Sequence, residues 1–295
     1  SNKAVVLGFG INPSYGKIDP YKMGASVIDE SLRNLVAAGG DIKNAVLLDN
    51  FCFGDVANSK VFATLFETVK ACYDYAKIFK TPFISGKDSL NNFFTLKDSS
   101  KKRISIPPTL LISSLSVIDD YNYSMTSNFK EENNYIYLVG ETKDEIGGSV
   151  FSKILEIDGE PPEVNGPLSY KILKKISDGI RKNLFLSVHD LSEGGLAVGL
   201  AEMCFSNEIG CEVDISFITP TLREDILLFS ESNSRFLLEV KRDKARYVER
   251  HLKGIPFYKI GETRGDSFIL KKERKTIMDV KIRHILDLWE KAVKW

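Results

Sequence analysis

The chain has 295 residues, enough for two domains of ordinary size, and 43% of them are hydrophobic, enough to pack a core. Lys+Arg and Asp+Glu both number 40, so the formal net charge is zero and a nucleic-acid partner is not expected. No apolar run reaches the length of a membrane helix, and the 4 cysteines show neither C-x-x-C pairing nor zinc-type spacing; a reduced, cytoplasmic chain with no membrane partner is expected.

Ser1-Asn2-Lys3 leads without methionine straight into the strand-like Ala4-Val5-Val6-Leu7-Gly8, which predicts a piece of a longer polypeptide. Residues 24–38 carry Ile28, Leu32, Leu35 and Val36 on one stripe and stop at Gly39-Gly40, so an amphipathic helix is predicted. Glu30 and Asn34, four apart, share another face of it. Val46-Leu47-Leu48 predicts a short strand running into Asp49-Asn50. A second helix is expected over 60–80, with Val61, Leu65, Val69, Cys72 and Ala76 aligned. Pro82-Phe83-Ile84-Ser85 predicts a strand running into Gly86-Lys87-Asp88-Ser89, and 109–117 another strand. The polar segment 119–134 predicts a boundary between domains at 1–120 and 135–295, with a linker over 121–134.

Beyond it, a strand is expected at 135–139 and a helix at 169–182, with Ile172, Leu173, Ile176 and Ile180 aligned. Residues 184–188 predict a strand that runs into His189-Asp190-Leu191-Ser192-Glu193-Gly194-Gly195, and a helix follows over 195–203. Strands are expected at 236–240, 257–260 and 268–270, and a closing helix at 283–293. Strands and helices alternate in both parts, interrupted by helix-free stretches, which predicts mixed α/β domains.

Three apolar strands therefore end in acidic or glycine-rich clusters. Carboxylates suit Mg²⁺, glycine backbone suits phosphate, lysine neutralises phosphate charge, and ligands gather at the carboxyl ends of strands in α/β sheets. Together the clusters predict a Mg·nucleotide and phosphate site. In the second cluster, Lys87 and Ser89 suit phosphate and Asp88 a metal, although the motif lacks the first glycine of a Walker loop. An ordinary turn uses the same residue types. In the third, Gly194-Gly195 and the helix start suit phosphate and Asp190 suits Mg²⁺, because a charged residue straight after a buried strand is hard to justify by packing. Ser192 or Glu193 also suits a plain helix cap. The loop Phe229-Ser230-Glu231-Ser232-Asn233-Ser234-Arg235 fits either a phosphate contact through Arg235 and the serines or a solvent loop.

Taken in order, Gly8-Phe9-Gly10-Ile11-Asn12-Pro13, Asp19-Pro20-Tyr21, Glu30-Ser31-Leu32-Arg33-Asn34, Asp49-Asn50, Gly86-Lys87-Asp88-Ser89, Gly147-Gly148-Ser149, His189-Asp190-Leu191-Ser192-Glu193-Gly194-Gly195-Leu196-Ala197 and Glu231-Ser232-Asn233-Ser234-Arg235 form a specific set. Over nearly the whole chain this set resembles the second half of the phosphoribosylformylglycinamidine synthase family. The resemblance implies an aminoimidazole-ribonucleotide-synthetase-like fold: a ferredoxin-like N-terminal domain followed by a larger α/β C-terminal domain. It implies an ATP- and Mg²⁺-dependent conversion of formylglycinamide ribonucleotide to its amidine, with ammonia supplied by a glutaminase domain or subunit. It assigns Asp49, Gly86 and Ser192 to nucleotide, Ser89 to the ribonucleotide substrate, and Glu30, Asn34 and Asp190 to Mg²⁺. Lys87 stands where small family members carry a metal-binding Asn, so it is assigned to phosphate. Glu193 replaces the commoner Asp.

The family's catalytic histidine has no match here, so no catalytic residue is expected in this half, and a further metal-binding carboxylate would precede Ser1. The implied partners are the first half of the same enzyme and, for the piece alone, a second copy paired through an open sheet edge. Two other readings stand beside this one. One is a non-catalytic module that holds a nucleotide for structural reasons. The other is a stand-alone aminoimidazole ribonucleotide synthetase.

Overall fold

A computed structural model describes residues 2–97 and 101–293; Ser1, on which the reading of the chain start rested, lies outside them. In chain order the first part contains β1 (Ala4–Ile11), α1 (Pro13–Gly16), α2 (Pro20–Ala37), β2 (Val46–Cys52), α3 (Ser59–Phe79), β3 (Phe83–Ser89), the short pair β4 (Phe93–Thr95) and β5 (Arg103–Ser105), and β6 (Thr109–Ile118). The second contains β7 (Tyr135–Val139), α4 (Val150–Leu155), α5 (Gly166–Arg181), β8 (Ser187–Asp190), α6 (Gly195–Phe205), β9 (Cys211–Asp214), α7 (Glu224–Phe229), β10 (Phe236–Val240), α8 (Ala245–Leu252), β11 (Phe257–Thr263), β12 (Ser267–Lys272), β13 (Lys275–Lys281) and α9 (Ile282–Val293).

The first sheet has four strands in the order β1-β6-β2-β3. Only β2 and β3 pair in parallel, and β3 is an edge. Helix α2 begins where expected of its caps: Asp19 accepts from the Lys22 N–H at 2.9 Å and Pro20 occupies the first turn. It lies unusually close to β1. A Cβ at Gly10 would sit 2.1 Å from the Val27 carbonyl oxygen, and one at Gly8 2.3 Å from that of Ser31, so both positions require glycine. The residues that alternate with them along β1, Val5, Leu7, Phe9 and Ile11, point to the opposite face and are exposed.

The second sheet has seven strands in the order β13-β12-β9-β11-β7-β10-β8. Its central strands β7 and β10 are apolar on both faces. Tyr137 and Val139 join Phe236, Leu238 and Val240 in one core, which also takes in α2, α5 and the inner face of the first sheet. Ile136, Leu138 and Leu237 enter a second core with α6, β9 and α9. The period of two along each strand sends alternate residues to the two sides. The first core therefore bonds both sheets to one shared helical layer. The exception is Glu239, buried in β10, which pins the 119–134 segment by accepting from the Lys130 N–H and Asn134 Nδ2, each at 2.8 Å.

Two expectations change. The strands at 46–48 and 82–85 do not stop before their polar clusters. β2 runs to Cys52 and β3 to Ser89, paired Asp49 to Gly86, Asn50 to Lys87, Phe51 to Asp88 and Cys52 to Ser89. The ladder to β6 continues to Thr109 on the other side, so these polar residues are held by sheet hydrogen bonds rather than turns. The loop 230–235 is buried rather than solvated. All four cysteines are free, and no described helix is long and apolar enough to cross a membrane.

Candidate functional site

A cavity of about 310 Å³ opens where the two sheets meet through α2. Phe9 and Ile11 of β1, Glu30 and Asn34 of α2, His189 and Asp190 of β8, Ser192 and Glu193 after it, and Gly199 and Glu202 of α6 line it. The four-residue spacing of Glu30 and Asn34 puts both on the helix face turned to the cavity. Asp190 arrives as the last residue of β8, and Ser192 Oγ donates to its Oδ2 at 3.0 Å.

Glu30 Oε2 accepts from the Ile11 N–H and from Asn12 Nδ2, both at 2.9 Å. Asn34 Oδ1 accepts from the Phe9 N–H at 3.3 Å. Burial pushes the Glu30 carboxyl up to about 7; Arg33 and the Ile11 N–H oppose that rise, and the charges of Asp190 and Glu193 add to it. His189 Nε2 lies 2.8 Å from Glu202, and Nδ1 lies 3.8 Å from Asp190. Burial disfavours charge on His189, but the Glu202 hydrogen bond and the charges of Asp190 and Glu202 outweigh it and raise its pKa.

Under the cavity floor lies Arg33, which is fully enclosed. Its Nε sits 2.7 Å from Asp29 Oδ2 as an ion pair without hydrogen-bond alignment, and Nη1 donates to the Leu191 carbonyl. Asp29 is held in turn by Ser169 Oγ and by the N–H and Oγ of Ser234. Arg33 and Glu202 were not picked out in the sequence. The signal for Arg33 was present: Asp29 and Arg33 are an i,i+4 pair on an otherwise apolar helix face.

The oxygen-bearing side chains that line the cavity are the carboxylates of Glu30, Asp190, Glu193 and Glu202, the Asn34 amide and the Ser192 hydroxyl, and they gather more negative than positive charge. That composition suits Mg²⁺, which keeps several waters and takes few protein ligands. Among the described residues, no three His, Cys, Asp or Glu side chains converge as a ready metal site.

Other sequence-predicted residues fall elsewhere. Gly194 and Gly195 are buried behind the cavity, with φ of +74° and +64°. The Gly194 N–H donates to Glu231 Oε1 at 3.0 Å and the Gly195 N–H to the Ser192 carbonyl at 3.2 Å. Both amides are taken by the protein itself, so the glycines shape the turn rather than line the cavity.

Asp49, Gly86, Lys87, Asp88 and Ser89 form a separate cluster on β2 and β3. A Cβ at Gly86 would lie 2.4 Å from Asp49 Oδ1, so glycine there makes room for the carboxylate. Burial raises the Asp49 pKa, the Lys87 N–H lowers it, and the Asp88 charge raises it. Asp49 also borders an open depression of about 580 Å³ walled by Phe51, Tyr73 and Phe83, with Lys77 and Lys80 beside it. Lys87 donates to Ser89 Oγ, and Asp88 is exposed. None of these five residues lines the cavity that holds Asp190.

Two family models match the chain: AIR synthase related protein, N-terminal domain, over residues 1–103, and AIR synthase related protein, C-terminal domain, over residues 131–271. Phosphoribosylformylglycinamidine synthase subunit PurL of Thermoplasma volcanium is 31% identical over 291 residues, which is 98% of this chain and 37% of that protein. The subunit of the same name from Alkaliphilus metalliredigens is 31% identical over 298 residues, covering 100% of this chain and 39% of that protein. The chain thus spans less than two fifths of the length of these relatives. Among solved structures, T. maritima PurL complexed with FGAR superposes with a TM-score of 0.79 at 15% identity, over 96% of this chain and 46% of that one. A HypE–HypF complex superposes with a TM-score of 0.69 at 14% identity, over 93% of this chain and 90% of that one. At these identities the superpositions establish a shared fold.

Proposed function

The chain belongs to the AIR synthase related protein family, and from that premise we propose that it is the second half of a phosphoribosylformylglycinamidine synthase, carrying a Mg·nucleotide site between its two sheets. Glu30, Asn34 and Asp190 would hold the cation and Ser192 would contact the nucleotide. The cation supplies charge that offsets the phosphate oxygens. The observation that carries this reading is the convergence of Glu30 and Asn34 with Asp190 and Ser192 in one cavity, from segments about 160 residues apart. The name of the relatives, phosphoribosylformylglycinamidine synthase subunit, supports the product of the reaction; the resemblance adds ATP dependence and ammonia from a glutaminase domain or subunit.

The same reading divides the chain into domains at 1–120 and 135–295 joined by 121–134. It puts the chain in the cytoplasm, in keeping with four free cysteines. It also gives the exposed outer face of the first sheet a use. Val5, Leu7, Phe9 and Ile11 are 61%, 49%, 52% and 46% exposed, a row of large apolar residues that a second sheet would cover. In the whole enzyme the first half would cover it, and in the isolated chain a second copy. Asp49, Gly86, Lys87, Asp88 and Ser89, open at the β3 edge, would then serve nucleotide phosphate, metal and ribonucleotide in a site completed by the covering half.

A second reading, a nucleotide held for structural reasons, is favoured by His189. This ring faces the cavity but is engaged by Glu202, so it is not poised as a free base. Calorimetric titration with Mg·ATP and Mg·ADP, beside Asp190→Ala, tests the site. Binding by the parent chain that is lost in the variant is expected; no binding by folded parent chain sinks the proposal. Phosphate release by the chain with formylglycinamide ribonucleotide and ammonia would remove the structural reading, since a structural site gives none.

A further inference from the structure

The loop 230–235 bears on the cavity without touching it. Arg235 directs its guanidinium into the protein, with Nε on the Ser232 carbonyl at 2.9 Å, Nη1 on Thr142 Oγ1 at 3.1 Å and Nη2 on the Ser230 carbonyl. Three of its five N–H donors are spent within the loop and its neighbour, and the side chain is 0% exposed, so Arg235 is not presented to an anion at the surface.

Glu231, 6% exposed, has neutral donors as its hydrogen-bond partners. Oε1 accepts from the Gly194 N–H and the Val150 N–H, each at 3.0 Å, and Oε2 accepts from Tyr15 Oη at 2.7 Å. Burying a carboxylate is costly unless its oxygens are satisfied, and three bonds satisfy this one. Burial first, and then the charge of Glu231, push the Tyr15 hydroxyl well above its ordinary range, so Tyr15 keeps its proton and stays the donor.

Each donor belongs to a different segment. Tyr15 lies on α1, Val150 opens α4, and Gly194 precedes α6, four residues after Asp190. The other arm of the loop reaches the opposite cavity wall. Asn233 Oδ1 accepts from Ser26 Oγ at 2.9 Å, Ser26 Oγ accepts from Asn12 Nδ2 at 3.3 Å, and Asn12 Nδ2 also donates to Glu30 at 2.9 Å.

We propose that Glu231 is a positioning residue for the cavity: its carboxylate meets no ligand but fixes the Asp190–Gly195 turn against α1 and α4, and so against the Glu30 wall that Asn233 braces. The turn needs such a brace. Two successive glycines at positive φ give it little stiffness of its own. A Cβ at Gly195 would lie 2.4 Å from the Ser230 carbonyl oxygen, so the turn already packs on the loop that carries Glu231. Small displacements of ligating groups lower affinity steeply, and groups that orient ligands are commonly worth about 10- to 100-fold in metal affinity.

The role of Glu231 in nucleotide affinity rests on the Mg·nucleotide reading; its hold on the turn does not. The test uses the 295-residue chain with Glu231→Ala, Glu231→Asp and Glu231→Gln. One readout is hydrogen exchange at the Gly194 and Val150 amides, followed by NMR. The other is Mg·ADP affinity by calorimetry. Glu231→Asp keeps the charge and loses the reach, so it should speed exchange at both amides and weaken Mg·ADP by about 10- to 100-fold, as Glu231→Ala should. Glu231→Gln keeps a carbonyl acceptor at full length, so both amides should stay protected and affinity should remain within about threefold. The reverse pattern, with Asp tolerated and Gln not, would make the effect one of charge and overturn the proposal. Unchanged exchange at Gly194 in folded Glu231→Asp would overturn it as well. If parent chain binds no Mg·ADP, the nucleotide reading falls, and the exchange measurement still decides whether Glu231 holds the turn.

Discussion

Asp190 and Asp49 each follow a run of apolar strand residues, and each has neighbours suited to a phosphate or a cation, yet their surroundings differ. Asp190 ends β8 against α2, a helix of the first part, and shares a half-open cavity with Glu30 and Asn34. Asp49 lies within β2 beside β3, an edge strand whose Gly86, Lys87 and Asp88 are exposed. Local chemistry marked both places. A second wall came to one of them because α2 is braced against β1 by the close approaches at Gly8 and Gly10. The other has its ligating groups on one side only, as expected of a surface that a second protein surface completes.

This contrast should be clearest in stability. The Arg33–Asp29 pair is buried at the cavity floor, with side-chain exposures of 2% and 0%. Removing one partner leaves an uncompensated buried charge, so Arg33→Ala should cost about 3–5 kcal/mol in urea unfolding. The Arg103–Asp55 pair, near the β2–β3 edge, is 60% and 25% exposed, and Asp55→Ala should cost less than about 1 kcal/mol. Equal costs would mean that the cavity is no more built than the edge.

Next in size is the pH dependence of Glu30. Its carboxyl titrates at about 7 in the folded chain against an ordinary 4.5. Between those values the folded state keeps a proton that the unfolded state has lost, so metal-free chain loses stability as pH rises through this window. The stabilising contribution is full below the ordinary value and gone above about 7. Glu30→Gln should flatten this slope by on the order of 3 kcal/mol, and an unaltered stability profile would refute the enclosure of Glu30.

Much of this arrangement was legible where the signal is local. The stripe of Ile28, Leu32, Leu35 and Val36 announced α2, and the spacing of Glu30 and Asn34 placed both on one face of it. What escaped depended on distant partners. The strand at 46–48 was expected to end at Asp49-Asn50, but β3 and β6 supply a ladder on both sides and carry it on to Cys52. The loop 230–235, being polar, fitted either a phosphate contact or a solvent loop, and it is neither exposed nor aimed at a surface. Its polarity is matched by Asp29, Ser26 and Tyr15, more than 200 residues earlier in the chain. Polar residues buried by partners of that kind look like surface until the fold pairs them.

Ligand binding carries the comparison to smaller effects. Asp190→Ala removes a carboxylate that faces Glu30 and Asn34 across the cavity, so Mg·ADP affinity should fall by about 100-fold, close to 2.7 kcal/mol. A loss under about threefold by calorimetry would show that the cation, if bound, is held elsewhere.

The smallest expected effect belongs to Lys87. By composition it is the better phosphate ligand, a lysine in a Gly-Lys-Asp-Ser run, and it should matter more than any uncharged group. By position it should matter little to the chain alone. It projects from the exposed edge strand, donates to Ser89 Oγ, and is absent from the cavity lining. Solvent screens its charge from a ligand in that cavity. Lys87→Ala should therefore leave Mg·ADP affinity of the isolated chain within about twofold at ordinary ionic strength. A loss of tenfold or more would mean that the edge reaches a bound nucleotide after all, through a second copy laid over the first sheet, and the two clusters would then be parts of one site.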